Sequence, residues 1–317
     1  MRAASSRQID SHQRATVARE LGARFGDRLT HADARRGRGA PSNATGRFES
    51  LRRDAVDDGW GEDGAEPLQT EVLFERPRTI ITRNESPDIS FDRSINPYRG
   101  CEHGCAYCYA RPTHAYLGLS SGLDFETKLY AKENAAALLE KELAAPKYRP
   151  ATIALGANTD AYQPIERQYR ITRSVLEVLA QCDHPVGIVT KSNLVLRDLD
   201  LLAPMAAKGL AKVYVSVTTL DRDLARRMEP RAPTPERRLE AIRQLAEAGV
   251  PVGVMVAPVV PAVNDDEVEK ILTRAYAAGA REAGYVTLRL PLELRDLFRE
   301  WLAVNFPDKL KHTLSLV

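Results

Sequence analysis

From residue 133 onward the chain repeats one alternation, a helical stretch followed by a short apolar stretch rich in β-branched residues. Helical periodicity at Glu133–Ala144 precedes a strand at Ala151–Leu155, and Glu166–Ala180 precedes one at Val186–Thr190. Leu199–Lys208 leads to Lys212–Val217. Pro235–Ala248, stopped by Gly249, leads to Val252–Ala257, and Asp265–Ala278 leads to Tyr285–Leu290. Such a series of βα units dictates parallel strands wrapped by helices. With one strand ahead of residue 133 the count is about six, short of the eight that close a barrel. The expected class is therefore α/β, a partial (β/α)6 barrel. A last helix reads at Glu293–Val304, and the chain stops at Leu-Ser-Leu-Val317 in mid-pattern, from which a missing C-terminal segment is expected.

Residues 1–68 are of another kind. A basic tract, Arg-Arg-Gly-Arg-Gly-Ala-Pro, is followed by the acidic Asp-Asp-Gly-Trp-Gly-Glu-Asp-Gly-Ala-Glu-Pro, with few apolar residues. A disordered, charged N-terminal tail is expected there, with the barrel domain over 69–317. Its arginines can touch nucleic acid, although a solvated tail is the simpler account of them. Between Glu71 and Ile95, Val-Leu-Phe, Thr-Ile-Ile-Thr and Asp-Ile-Ser-Phe-Asp read as short strands. A net charge of +2 over 317 residues is too near balance to argue for a polyanion or a membrane surface. No stretch approaches the ~20 apolar residues of a span, because Pro251, Pro258 and Pro261 interrupt the most apolar run, Val250–Val263. No apolar secretory core opens the chain, so no membrane partner is expected and the expected location is cytoplasmic.

Three of the four cysteines, Cys101, Cys105 and Cys108, lie in Asn96-Pro-Tyr-Arg-Gly-Cys-Glu-His-Gly-Cys-Ala-Tyr-Cys-Tyr109. A C-x3-C-x2-C set on a short glycine-punctuated loop can converge on one inorganic centre. Three thiolates leave a four-iron cube one iron short of full ligation, and that iron can bind a second molecule. Zinc, with His103 as fourth ligand, is an alternative, although structural zinc usually pairs two cysteine knuckles and no second pair lies nearby. Disulfides do not suit an intracellular chain. Cys182, at the end of an apolar helix, is expected to be a buried small hydrophobe.

Ligands of parallel α/β folds bind at the carboxyl ends of the strands. The cysteine loop follows the first strand. After the second, Asn158, Thr159 and Asp160 offer polar contacts in Gly156-Ala-Asn-Thr-Asp-Ala-Tyr-Gln-Pro-Ile-Glu166, unless the loop merely caps the next helix. Lys191 and Ser192 follow the third strand, and Ser216, Thr218 and Thr219 lie at the end of the fourth. Together these can hold a carboxylate and a ribose. Arg226, Arg227 and Arg231 can clamp a carboxylate or phosphate, or simply line an exposed helix. The segment Ala257-Pro-Val-Val-Pro261 can cover an adenine or end a core strand. Asp160, Glu166 and His114 form a possible acid–base set of an ordinary barrel enzyme.

The motif Cys101-x3-Cys105-Ala-Tyr107-Cys108 ahead of serial βα units resembles the radical S-adenosylmethionine superfamily over about residues 88–290. Tyr109, the Asn-Thr-Asp-x-Tyr-Gln-Pro-Ile-Glu stretch and Thr190-Lys191-Ser192 are similar to the branch of spore photoproduct lyase. The resemblance implies that Cys101, Cys105 and Cys108 hold three irons of a [4Fe-4S] cluster, while the fourth chelates the methionine end of S-adenosyl-L-methionine. It implies reductive formation of a 5′-deoxyadenosyl radical, fed by an electron donor such as flavodoxin or ferredoxin. Tyr107 would lie against the cofactor. Asn158, Thr159 and Asp160 would occupy the amino-group-binding strand end, with Lys191, Ser216 and Arg231 near the carboxylate and ribose. Tyr109 matches a tyrosine of the lyase's radical relay. The lyase's hydrogen-donating cysteine has no counterpart in Leu155-Gly-Ala-Asn-Thr159, where Ala157 stands at about that place, so repair of a thymine dimer is not implied. The expectation is a radical enzyme, lyase-like, that abstracts hydrogen from an unidentified substrate. The open side of a partial barrel admits a macromolecule, including a nucleic acid. The alternative is a non-catalytic iron-sulfur or zinc module that contacts nucleic acid.

Overall fold

Six strands of the main sheet run parallel, and their order repeats the chain order. The computed structural model describes residues 36–49, 68–86, 89 and 91–317. Its strands are β1 (Glu71–Phe74), β2 (Ile81–Arg83), β3 (Arg93–Ile95), β4 (Tyr98–Arg99), β5 (Lys128–Ala131), β6 (Ile153–Leu155), β7 (Val186–Thr190), β8 (Ala211–Ser216), β9 (Val252–Val259) and β10 (Glu282–Thr287). Strands β3, β6, β7, β8, β9 and β10 form the parallel set, and β2 pairs antiparallel with β3 at one edge. The other edge is β10, which pairs only with β9 among the described residues, so the sheet stays open. This is the expected six-unit partial barrel.

The crossovers are helical: α1 (Asp124–Thr127) and α2 (Ala135–Leu143) before β6, α3 (Glu166–Tyr169) and α4 (Ile171–Gln181) before β7, and α5 (Leu199–Ala207) before β8. Helices α6 (Arg222–Met228) and α7 (Pro235–Glu247) precede β9, α8 (Val268–Ala277) precedes β10, and α9 (Leu294–Asn305) and α10 (Leu310–Ser315) follow it. Alternation along the strands sets the core. Val186 and Ile188 of β7, Val213 and Val215 of β8, and Val254 and Val256 of β9 are buried with Leu176, Leu179, Leu202 and Leu245 of the helices. Each such side chain stabilises the fold by about 1.5–3 kcal/mol. The intervening residues Val189, Tyr214 and Met255 point to the other face and are only half-buried, which leaves a trough. No helix among the described residues is long and apolar enough to cross a membrane.

Several details differ from the sequence pattern. The helix expected at Glu166–Ala180 breaks at Arg170, where φ is 52°. The Glu166 carboxylate then caps the second piece, accepting from the Thr172 and Arg173 amides at 3.0 and 3.2 Å. Strand β10 begins at Glu282, where pairing with Gly253 starts, and ends at Thr287, after which Leu288 joins the apolar cluster of Cys105, Ala106 and Tyr107. Of the strand read in Asp-Ile-Ser-Phe-Asp, Asp88 and Ser90 lie outside the described residues, and β3 follows at Arg93. In a small second sheet, β1 beside β5 beside β4, β1 is the strand read at Val-Leu-Phe, whereas β4 and β5 carry no period that separates them from loop. Cys182 is exposed rather than buried, since α4 ends at Gln181 and the chain turns outward through Asp183 at φ 45°.

Most of residues 1–68 lie outside the described residues, and within that stretch 36–49 form a strap on the barrel. The Gly39 and Ala40 amides donate to the buried Glu126 carboxylate at 3.0 and 2.8 Å. The Ser42 carbonyl accepts from the Leu123 amide at 3.2 Å, and its hydroxyl donates to Glu300 of α9 at 2.6 Å. A boundary at residue 68 therefore cuts through contacts that belong to the domain.

Candidate active site

The three cysteines sit at the carboxyl edge of the parallel strands, on the loop that follows β3 and β4. Cys101 and Cys105 are buried, Cys108 is partly so, and none is in a disulfide. Backbone bonds fix the loop from several sides. The Cys101 amide donates to Phe125 O at 2.9 Å, the Ala106 amide to Met228 O at 2.9 Å, and the Arg231 amide to His103 O at 3.3 Å. Beneath it the buried Arg111 guanidinium donates to Cys105 O at 2.9 Å while pairing with Glu126.

Burial pushes the Cys105 thiol up to about 12, against the pull of nearby Lys191. Burial also pushes Cys101 up, reinforced by Asp160 and by the neighbouring thiols. Such thiols keep their protons until a metal takes the proton's place. Three free thiols on one loop, none in a disulfide, are a donor set that fits an iron-sulfur centre. Among the described residues no set of three or more His, Cys, Asp or Glu is arranged to hold one metal ion, which is what the zinc alternative requires.

Asp160 is spent on structure. Its carboxylate accepts from the Thr190 hydroxyl at 2.7 Å and the Lys191 amide at 2.8 Å, and lies 3.4 Å from His103 Nδ1. Burial opposes its charge, but His103 and these donors outweigh burial and hold the carboxyl well below its usual range. It thereby ties the cysteine loop and the end of β6 to the end of β7. Gly156 permits this approach, with φ of 82° and the Val189 carbonyl 2.2 Å from where a β-carbon would stand. Thr159 donates to Tyr98 O at 2.8 Å, and the Asn158 amide donates to Asn96 at 2.9 Å. The Asn158 side chain makes no hydrogen bond among the described residues, so of this trio it is the one left to meet a ligand.

Lys191 projects its ammonium over the Tyr107 ring, 5.7 Å from the centroid. Burial opposes its charge, but the nearby Glu229 and Asp160 carboxylates raise its pKa and keep it cationic. The Tyr107 phenol is itself buried and bonded to Glu229. Ser216 is buried at the end of β8, its carbonyl held by Arg238 at 3.1 Å. Tyr109 is exposed, and its hydroxyl donates to the Ala157 carbonyl, so the tyrosine stands beside the position that lacks a thiol.

Other candidates are engaged elsewhere. Arg231 pairs with Glu102 on the outer side of the cysteine loop. Arg227 lies over Phe306, 4.6 Å from its centroid. Thr218 and Thr219 bond to Glu229 and Glu267. The apolar segment after β9 reaches the site, since Val260 packs with Cys105, Ala106 and Tyr107. The acid–base set does not assemble. Glu166 caps α4, and burial lowers His114 to about 4 while its Nε2 bonds Lys128 O. Sequence reasoning missed Glu229, Arg238, Arg111 and Glu126, which carry no local motif and meet only through the fold.

A parallel, open α/β barrel with three free thiols at its carboxyl edge, two buried and one partly so, beside a lysine and an aromatic ring, fits a radical-type iron-sulfur scaffold. Residues 95–275 match the Radical SAM superfamily, and the chain belongs to it. The cofactors of that superfamily are S-adenosylmethionine and a [4Fe-4S] cluster. An uncharacterized protein of Mycobacterium tuberculosis is 40% identical over 222 residues, 69% of this chain and 65% of that protein. The chain thus spans under two thirds of this relative's length. An uncharacterized protein of Methanocaldococcus jannaschii is 28% identical over 238 residues, 75% of this chain and 85% of its own. The fold is similar to that of spore photoproduct lyase. A variant with bound AdoMet and dinucleoside spore photoproduct gives a TM-score of 0.54 at 18% identity, covering 74% of this chain and 66% of that one.

Proposed function

We propose that the chain is a radical SAM enzyme in which Cys101, Cys105 and Cys108 hold a [4Fe-4S] cluster and the open trough receives a substrate from which hydrogen is abstracted. The observation that supports it is the set of three unpaired thiols on the loop at the strand ends, with Lys191 over the ring of Tyr107 on that same loop. When bound, the cluster and S-adenosylmethionine supply a 5′-deoxyadenosyl radical on receipt of an electron, which a flavodoxin or ferredoxin in the cytoplasm would provide.

The protein's own residues prepare that site. Lys191 carries a fixed positive charge suited to the methionine carboxylate. The free Asn158 amide can accept from the methionine ammonium, and Ser216, at the end of β8, can meet the ribose. Val260 and the Tyr107 ring exclude water from the thiol side. Tyr109, exposed beside Ala157, borders the substrate side.

Anaerobic reconstitution followed by electron paramagnetic resonance, with and without S-adenosylmethionine, tests the proposal. A reduced four-iron signal that shifts with the cofactor, together with 5′-deoxyadenosine in the same tube, is expected. A signal indifferent to the cofactor, or zinc in place of iron, would overturn it in favour of a binding module. A nucleic-acid substrate further requires binding that weakens as salt rises.

A further inference from the structure

Two consecutive residues at the end of α6 grip two consecutive residues of the cysteine loop. Met228 O accepts from the Ala106 amide at 2.9 Å, and the Glu229 carboxylate accepts the Tyr107 phenol. Glu229 also accepts from Thr218 at 2.7 Å and pairs with Arg238. Arg238 is anchored in turn by the Ser216 carbonyl at 3.1 Å and the Pro233 carbonyl at 2.8 Å. All of these side chains are buried. The result is one polar chain from the cysteine loop, through Tyr107, Glu229 and Arg238, to the end of β8.

We propose that Glu229 is a positioning residue for S-adenosylmethionine: held by Arg238, it fixes the Tyr107 ring and sets the spacing between the cysteine loop and the end of β8, the two walls that would hold the cofactor. This rests on the radical SAM reading of the site. A buried ion pair that served stability alone would not need to engage the aromatic residue preceding a metal ligand, and an apolar pair would fill the space as well. A charge-assisted phenol–carboxylate bond instead fixes the ring plane and leaves its face to Lys191.

The test uses the full chain reconstituted with iron, in four forms: wild type, Tyr107→Phe, Glu229→Gln and the double variant. Iron per chain and the dissociation constant of S-adenosylmethionine, by equilibrium dialysis, are measured on each. Tyr107→Phe is expected to retain iron and bind the cofactor roughly tenfold more weakly. Glu229→Gln is expected to weaken binding at least as much. The double variant should be no weaker than Glu229→Gln, because the phenol acts through that carboxylate. If Glu229→Gln does not fold, Tyr107→Phe decides alone. Wild-type affinity in Tyr107→Phe, or losses that multiply in the double variant, would overturn the link. A wild type that takes up iron but binds no S-adenosylmethionine would instead overturn the radical SAM reading and the link with it.

Discussion

The backbone of Gly39 lies so near Gly104 that a β-carbon built on Gly39 would stand 1.7 Å from the Gly104 carbonyl oxygen. The strap thus touches the loop between Cys101 and Cys105 backbone to backbone. Gly39→Ala must push one of the two away, at a cost of about 1–3 kcal/mol. The expected outcome is a thermal midpoint several degrees lower and less iron per chain after reconstitution, read by calorimetry and iron assay.

Arg111 and Glu126 form a fully buried ion pair under the same loop. Glu126→Gln leaves the Arg111 charge without its partner and should cost about 3–5 kcal/mol. Arg76→Ala, which breaks the exposed pair with Glu133, should cost at most about 1 kcal/mol. Urea midpoints of the two variants, with slopes compared, check the contrast.

His114 provides an acid-sensitive term. Its pKa falls from 6.5 to about 4 because burial disfavours the cation. The unfolded chain then binds a proton between these values while the folded chain does not, so stability falls as pH drops from about 6.5 to 4. The loss is on the order of 3 kcal/mol. Urea unfolding at pH 7 and pH 5 should show a steeper decline in wild type than in His114→Gln.

Replacement of Cys101, Cys105 or Cys108 by alanine should abolish iron uptake and the brown colour of the reconstituted protein. Cys182→Ala should leave both intact, since that thiol is exposed on the far end of α4. Lys191→Met should retain iron but weaken S-adenosylmethionine binding roughly tenfold through loss of the cation. Ultraviolet–visible spectra and equilibrium dialysis separate the two effects.

What could be read in advance follows from the range of the forces involved. Val186–Thr190 and Leu199–Ala207 declare themselves by local period, and the cysteine triplet by spacing. Glu229 and Arg238 sit in ordinary-looking polar sequence, and their roles arise from Tyr107 and Ser216, far away in the chain. The strap was illegible for a related reason. It binds Glu126 through the amides of Gly39 and Ala40, which leave no side-chain signature. Arg231 looked like an anion clamp by residue type, but Glu102 takes its charge.

The apolar bed of the cysteine loop is drawn from distant parts of the chain. Val260, Leu288, Phe298, Trp301 and Leu302 pack with Cys105, Ala106 and Tyr107. During synthesis the thiols leave the ribosome nearly two hundred residues ahead of α9. The bed that covers Cys105 and Tyr107 is therefore complete only once the residues through Leu302 have been synthesised.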